Sequence, residues 1–194
     1  MAENPPPLPA RPAGFWWRSL AFLADAVPLG VLAQVLADRT AGADALAGKA
    51  AFDTWVHQLG EAYLKIAQTG KSDAFAAVLA AAPESMGDWF AHTGVVAMLT
   101  FTLVLGLQEV FLGGRTLGKM MVSLHVIDVR TGEPPTIAGC LLRSAWKAMF
   151  LWFPSPVISL LALVNFHLPL FRRDNRAFHD LATFTQVVDG RASR

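Results

Sequence analysis

Cysteine is almost missing from this chain: Cys140 is the only one in 194 residues, so neither an intramolecular disulfide nor a Cys-rich zinc site can be built. Charge is scarce too. Charged residues make up 16% of the chain, well below the roughly 25% usual in soluble domains, and 16 Lys+Arg nearly balance 15 Asp+Glu. Such a chain lacks the basic footprint of a nucleic-acid binder. His57, His92, His125, His167 and His179 show no ligand spacing, so no metal site is expected. No nucleophile stands at a recognisable spacing from a base, so neither enzymatic activity nor a cofactor is expected. No internal repeat is visible. What is abundant is apolar surface: 54% of residues are hydrophobic, in long uncharged blocks that a soluble core of this size does not need and its surface would not tolerate. These features predict an integral membrane protein with one compact membrane domain.

The blocks predict a topology. Residues 19–37 carry only Asp25 as a charge, and residues 89–108 carry none if His92 is neutral; each run is about long enough to cross a ~30 Å hydrocarbon core. The first is read as a retained helix rather than a cleaved signal, because Asp25 interrupts its centre. Trp16, Trp17 and Trp89 stand at span ends, where an indole bridges lipid and headgroups. A third apolar block, Ala148 to Phe171, is cut by Pro154 and Pro156 and carries Pro169 near its end. Proline removes a donor and clashes with the preceding turn, so residues 136–171 are expected as a broken hairpin rather than one straight helix. Arg143 and Lys147 lie one turn apart there and can enter the membrane only by pairing or snorkelling.

Segment 38–88 holds four Lys/Arg against seven Asp/Glu, whereas 109–147 holds five against three and the tail adds Arg172, Arg173 and Arg176. By the positive-inside rule both termini face the cytoplasm and 38–88 faces out. In that outer loop Phe52, Trp55, Val56, Leu59, Tyr63 and Ile66 recur at helical steps, predicting an amphipathic helix; a second, Ala-rich helix follows Ser72 as N-cap and ends near Pro83. Residues 1–12, with five prolines, are expected as a flexible arm. The alternation around Leu124 and Val126, and the stretch Thr185 to Val188, predict two short strands paired on the cytoplasmic surface. The expected fold is therefore all-α: a small membrane bundle of three or four transmembrane or re-entrant helices, an outer helix pair and a short β pair.

Arg18 and Asp25 are seven residues apart and so share a helix face, about 10 Å apart along the axis. A charge in mid-bilayer costs roughly 2.5–3.5 kcal/mol, so Asp25 must be protonated, paired or turned inward. Pro28 would free the Ala24 carbonyl beside it, making a polar notch suited to a proton or cation; the alternative is a structural hydrogen-bond hub. The string Gly113–Met120 fits the phosphate-loop pattern until Met120 replaces the required Ser/Thr. It is read instead as a glycine turn that places Arg115 and Lys119 at the headgroups. Arg172, Arg173, Arg176, His179 and Asp180 form a charged cluster before the last strand.

Three motifs, in order, resemble those of the RDD family of bacterial membrane proteins. They are Phe15-Trp16-Trp17-Arg18 running through to Asp25, Thr116-Leu117-Gly118-Lys119 with Val126-Ile127-Asp128 and Gly132, and Arg176-Ala177-Phe178-His179-Asp180-Leu181. The resemblance implies that Arg18, Asp25 and Asp180 are signature residues of a small helical domain in the bacterial inner membrane, with transport suggested as its role. Two departures stand out: Thr183-Phe184-Thr185 replaces the family's small residue and glycine before the threonine, and the outer loop is longer than the family's usual connection. Together these readings give a transporter or transport-accessory protein for a proton or small cation, with Arg18 tuning Asp25. So few spans would need a homo-oligomer or a membrane-protein partner. The competing expectation is a non-transporting scaffold that recruits a partner through residues 49–81.

Overall fold

The computed structural model describes residues 11–152 and 156–190. Its elements are α1 (Phe15–Thr40), α2 (Ala43–Thr69), α3 (Asp73–Ala80), α4 (Met86–Phe111), α5 (Leu117–Met121), β1 (Leu124–Asp128), α6 (Ile137–Trp152), α7 (Pro156–Phe171), α8 (Phe178–Ala182) and β2 (Thr185–Asp189). They form two compact units, one of the chain up to Ala33 with the chain from Ala97 onward, the other Gln34–Val96.

Two helices, α1 and α4, are long and apolar enough to cross a membrane, and only 28% of the most apolar window of each is buried. A core helix of a soluble protein would hide most of that surface. Here Leu23, Val27 and Val31 on α1, and Val95, Leu99 and Leu103 on α4, are exposed instead. Helices α1 and α4 are the span-length members of the three or four membrane helices expected. At 16 residues each, α6 and α7 reach about 24 Å, short of a ~30 Å core, and they pack on one another as a helix pair. Pro156 opens α7, where a missing N–H costs nothing, and Pro169 lies inside its last turn; Pro154 falls outside the described residues.

In the Gln34–Val96 unit, α2 begins at Ala43, earlier than its apolar stripe indicated, and Trp55 Nε1 donates to the Val78 carbonyl at 2.9 Å to hold α3. Ala37, Ala45 and Trp89 form the core, with Lys49 Nζ 5.1 Å from the centroid of the Trp89 ring. Ser72 does occupy the N-cap of α3, but its backbone is helical and its hydroxyl makes no capping bond.

In the larger unit Leu29, Phe101, Leu105 and Ala148 join α1, α4 and α6. The strands pair antiparallel, Val126 opposite Val187, and pack Leu124, Val126 and Val187 against Ala13 and Ala21. A two-stranded ribbon alone is marginal. Residues 11–13 support it: Ala13 N–H donates to Val187 O and Asp189 N–H to Arg11 O, both at 2.9 Å. The end of the proline-rich segment is thus fixed edge pairing rather than a free arm, a position proline tolerates because an edge need not donate. Ser123 has a φ of +58°, and β1 starts at the next residue, Leu124.

Candidate functional site

Helix α1 turns Ala21, Asp25 and Leu29 inward at three- and four-residue steps, with Arg18 half-buried at the head of the same stripe, while Leu20, Leu23 and Val27 face out. Over residues 18–29 the charged groups thus turn inward while large apolar side chains face out. That inversion is stable only where the surroundings are apolar.

Asp25 is held by the glycine turn. Thr116 Oγ1 donates to Oδ2, and Gly118 N–H donates to Oδ1 at 2.7 Å. Thr116 also caps α5, its hydroxyl accepting from Lys119 N–H at 3.3 Å. The segment that imitates a phosphate loop thus cradles an anion supplied by the protein's own first helix. Only glycine fits at 118: a Cβ there would lie 2.9 Å from Asp25 Oδ2 and closer still to the Ala21 carbonyl oxygen. Pro28 is exposed inside a continuous α1, so the expected notch is not what holds Asp25.

Arg18 does not reach Asp25. Its guanidinium donates to Asp180 and to the Asn175 carbonyl. From there a chain of ion pairs runs through the unit. Arg143 bridges Asp180 Oδ1 and Glu109 Oε1, both at 2.8 Å, and Glu109 also takes Lys119, with Lys147 at 3.6 Å. Arg143, Glu109 and Asp180 are all at most 1% exposed. Burial works against the charged form of Asp180, but the Arg18 and Arg143 guanidiniums outweigh it and hold the carboxyl well below its usual range. One Asp180 oxygen also accepts from Ala177 N–H at 3.1 Å, fixing the start of α8.

The tail cluster separates into distinct roles. Arg176 donates to the Thr185 and Asp180 carbonyls, Arg172 pairs with Asp174 at 2.9 Å, and Arg115 is exposed. Trp146 stacks edge-on against Phe178 at 5.7 Å and ties α6 to α8. His179 lies 3.3 Å from Asp180 and within 3.3 Å of Asn165, whose carbonyl oxygen also accepts Phe178 N–H at 2.9 Å. Burial pushes the His179 imidazole well below its ordinary value; Asp180 pulls it up, but Lys147, Arg143 and Arg18 add to the lowering. The balance favours the neutral ring. The unfolded chain then binds the extra proton below about pH 6.5, so folding stability should fall as pH drops from about 7 to 5. Thermal unfolding in detergent across that range is expected to show the decline in wild type and a flatter profile in His179→Gln.

Glu109 and Asn165 carry more of this site than sequence reasoning gave them. Glu109 reads only as the charge that ends the second span, yet three cations converge on it. A carboxylate abutting twenty uncharged residues was the available signal. Asn165 sits in a mostly apolar helix and is 2% exposed.

These groups surround a cavity of about 370 Å³, whose wall includes Arg18, Asp25, Lys119, Arg143, Lys147 and His179. The rest of its wall is mostly apolar, with Phe22 and Phe166 meeting at 5.2 Å. The arrangement defines a helical membrane protein with an inward-facing ionic network around a small cavity. The chain belongs to the RDD family, whose family model matches residues 12–183. No curated protein and no solved structure gives a significant match.

Proposed function

We propose that this is a multi-pass protein of the bacterial cytoplasmic membrane, with both termini in the cytoplasm, acting as a small transporter or transport-accessory protein that moves a proton at Asp25. The observation that carries this reading is the position of Asp25: a carboxylate within a span-length helix, bonded by two donors and facing the cavity. The buried network argues for a proton over a metal cation. Among the described residues Arg18, Lys119 and Arg143 line the cavity with Asp25 as the one carboxylate on its wall, and a field of that sign opposes a second cation. Protonating Asp25 would weaken its acceptance from Thr116 and Gly118, which links proton uptake to the hold of α1 on the glycine turn. Reconstituted in liposomes, wild type should dissipate an imposed pH gradient, and Asp25→Asn should lose most of that flux. Equal flux in the two proteins would sink the proposal.

A second reading, a partner-recruiting scaffold, is favoured by α2, which leaves Leu46, Val56, Tyr63 and Leu64 exposed. The partner in that case is a second copy or another membrane protein. Removing 49–81 should then lower the oligomeric mass measured by light scattering in detergent; an unchanged mass argues against it.

A further inference from the structure

Lys147 is the least satisfied charge on the cavity wall. Its side chain is 9% exposed, its ion pair among the described residues is to Glu109 Oε1 at 3.6 Å, and no hydrogen bond to its ammonium is seen. That oxygen already accepts from Lys119 and from Arg143 at 2.8 Å. A buried ammonium whose paired carboxylate lies beyond hydrogen-bond distance is costly, and an anion in the cavity would supply a closer acceptor.

The wall sets the rest of the ligand. Phe22, Leu23, Leu105, Leu124, Phe166 and Val187 offer no polar partner to a small hydrated anion. A cationic head would meet Arg18, Lys119, Arg143 and Lys147, and a neutral one would leave Lys147 as it is. The volume of about 370 Å³ corresponds to roughly a dozen water-sized groups at ~30 Å³ each, which suits one chain rather than two.

We propose that the cavity binds a single-chain amphiphile with an anionic head, the head on Lys147 and the chain along Phe22, Leu105 and Phe166. This deepens the transport reading by naming the ligand class of the same cavity, and it rests on that reading. The head is a carboxylate, as in a free fatty acid, or a phosphate, as in a lysolipid.

Calorimetric titration of the full chain in nonionic detergent separates these sources. Laurate and dodecyl phosphate are the probes, with inorganic phosphate and dodecyltrimethylammonium as comparisons. At least one anionic amphiphile should bind saturably, the tighter of the two identifying the head. Lys147→Met should weaken it about tenfold or more, and Lys147→Arg should restore most of the affinity. Leu23→Trp, at a wall position that is 57% exposed, should fill the chain site and weaken binding with the charge intact. Should Lys147→Met fail to fold, Leu23→Trp and the contrast between anionic and cationic probes decide the matter. Equal binding of dodecyltrimethylammonium, equal binding of inorganic phosphate, or affinities unchanged by these substitutions would each overturn the proposal. Binding without proton flux would count against transport alone, whereas flux that depends on Asp25 without amphiphile binding would count against this inference alone.

Discussion

Arg143→Met should destabilise the protein by about 3–5 kcal/mol, the cost of removing one partner from a buried ion pair. The side chains have similar length, so packing changes little, but Glu109 and Asp180 both lose their shared guanidinium. Glu109 would keep Lys119 and Lys147, and Asp180 would keep Arg18, so each carboxylate remains charged with fewer donors than it needs. The check is thermal or denaturant unfolding in detergent. Glu109→Gln alone should also destabilise, because it strands Lys119 and Lys147, and the double variant should lose less than the sum of the two single ones. A double variant less stable than the sum of the two single ones would show that Arg143 acts elsewhere.

Gly118→Ala should cost about 3 kcal/mol or more, through a clash that no side-chain rotation can relieve. The new methyl would meet the Ala21 carbonyl oxygen, which is backbone, and the Asp25 carboxylate. Turn and helix must separate, lengthening the bonds by which Thr116 and Gly118 hold Asp25. Gly60→Ala is the control: it lies inside α2 with nothing within 4 Å of the added atom, and should stabilise by about 0.5–1 kcal/mol through helix propensity. Comparable losses in both variants would contradict this account.

Sequence reading reached some of these parts and missed others for physical reasons. The spans α1 and α4 are legible because an uncharged run of bilayer length has few alternatives, and the inward stripe of Arg18 and Asp25 follows from 3.6 residues per turn. Their partners are not legible. Arg18 meets Asp180 across 162 positions and Asp25 meets Thr116 across 91, and helical periodicity carries no information about which distant group arrives. Spacing alone suggests that Arg18 tunes Asp25, but packing sends the guanidinium to the tail. The paired strands were visible in their alternation, whereas the third segment at Arg11 to Ala13 was hidden by prolines that read as an open coil.

Phe184 has a φ of +54°, a conformation that costs a side chain about 1 kcal/mol or more. Arg130 sits 4.8 Å from the Phe184 ring centroid, a contact that glycine could not make and that returns part of that cost.

The pairing of Arg18 with Asp180 also imposes an order in time. The ribosome makes the first partner 162 residues before the second, an interval of roughly 8–30 s at usual elongation rates. For its first part, until Thr116 and Gly118 are made, α1 stands with both Arg18 and Asp25 lacking the groups that later hold them. The newborn helix must borrow lipid headgroups or the insertion machinery, and the unit closes only when its final strand leaves the ribosome. A chain cut short before Asp180 therefore keeps its spans but never completes its interior.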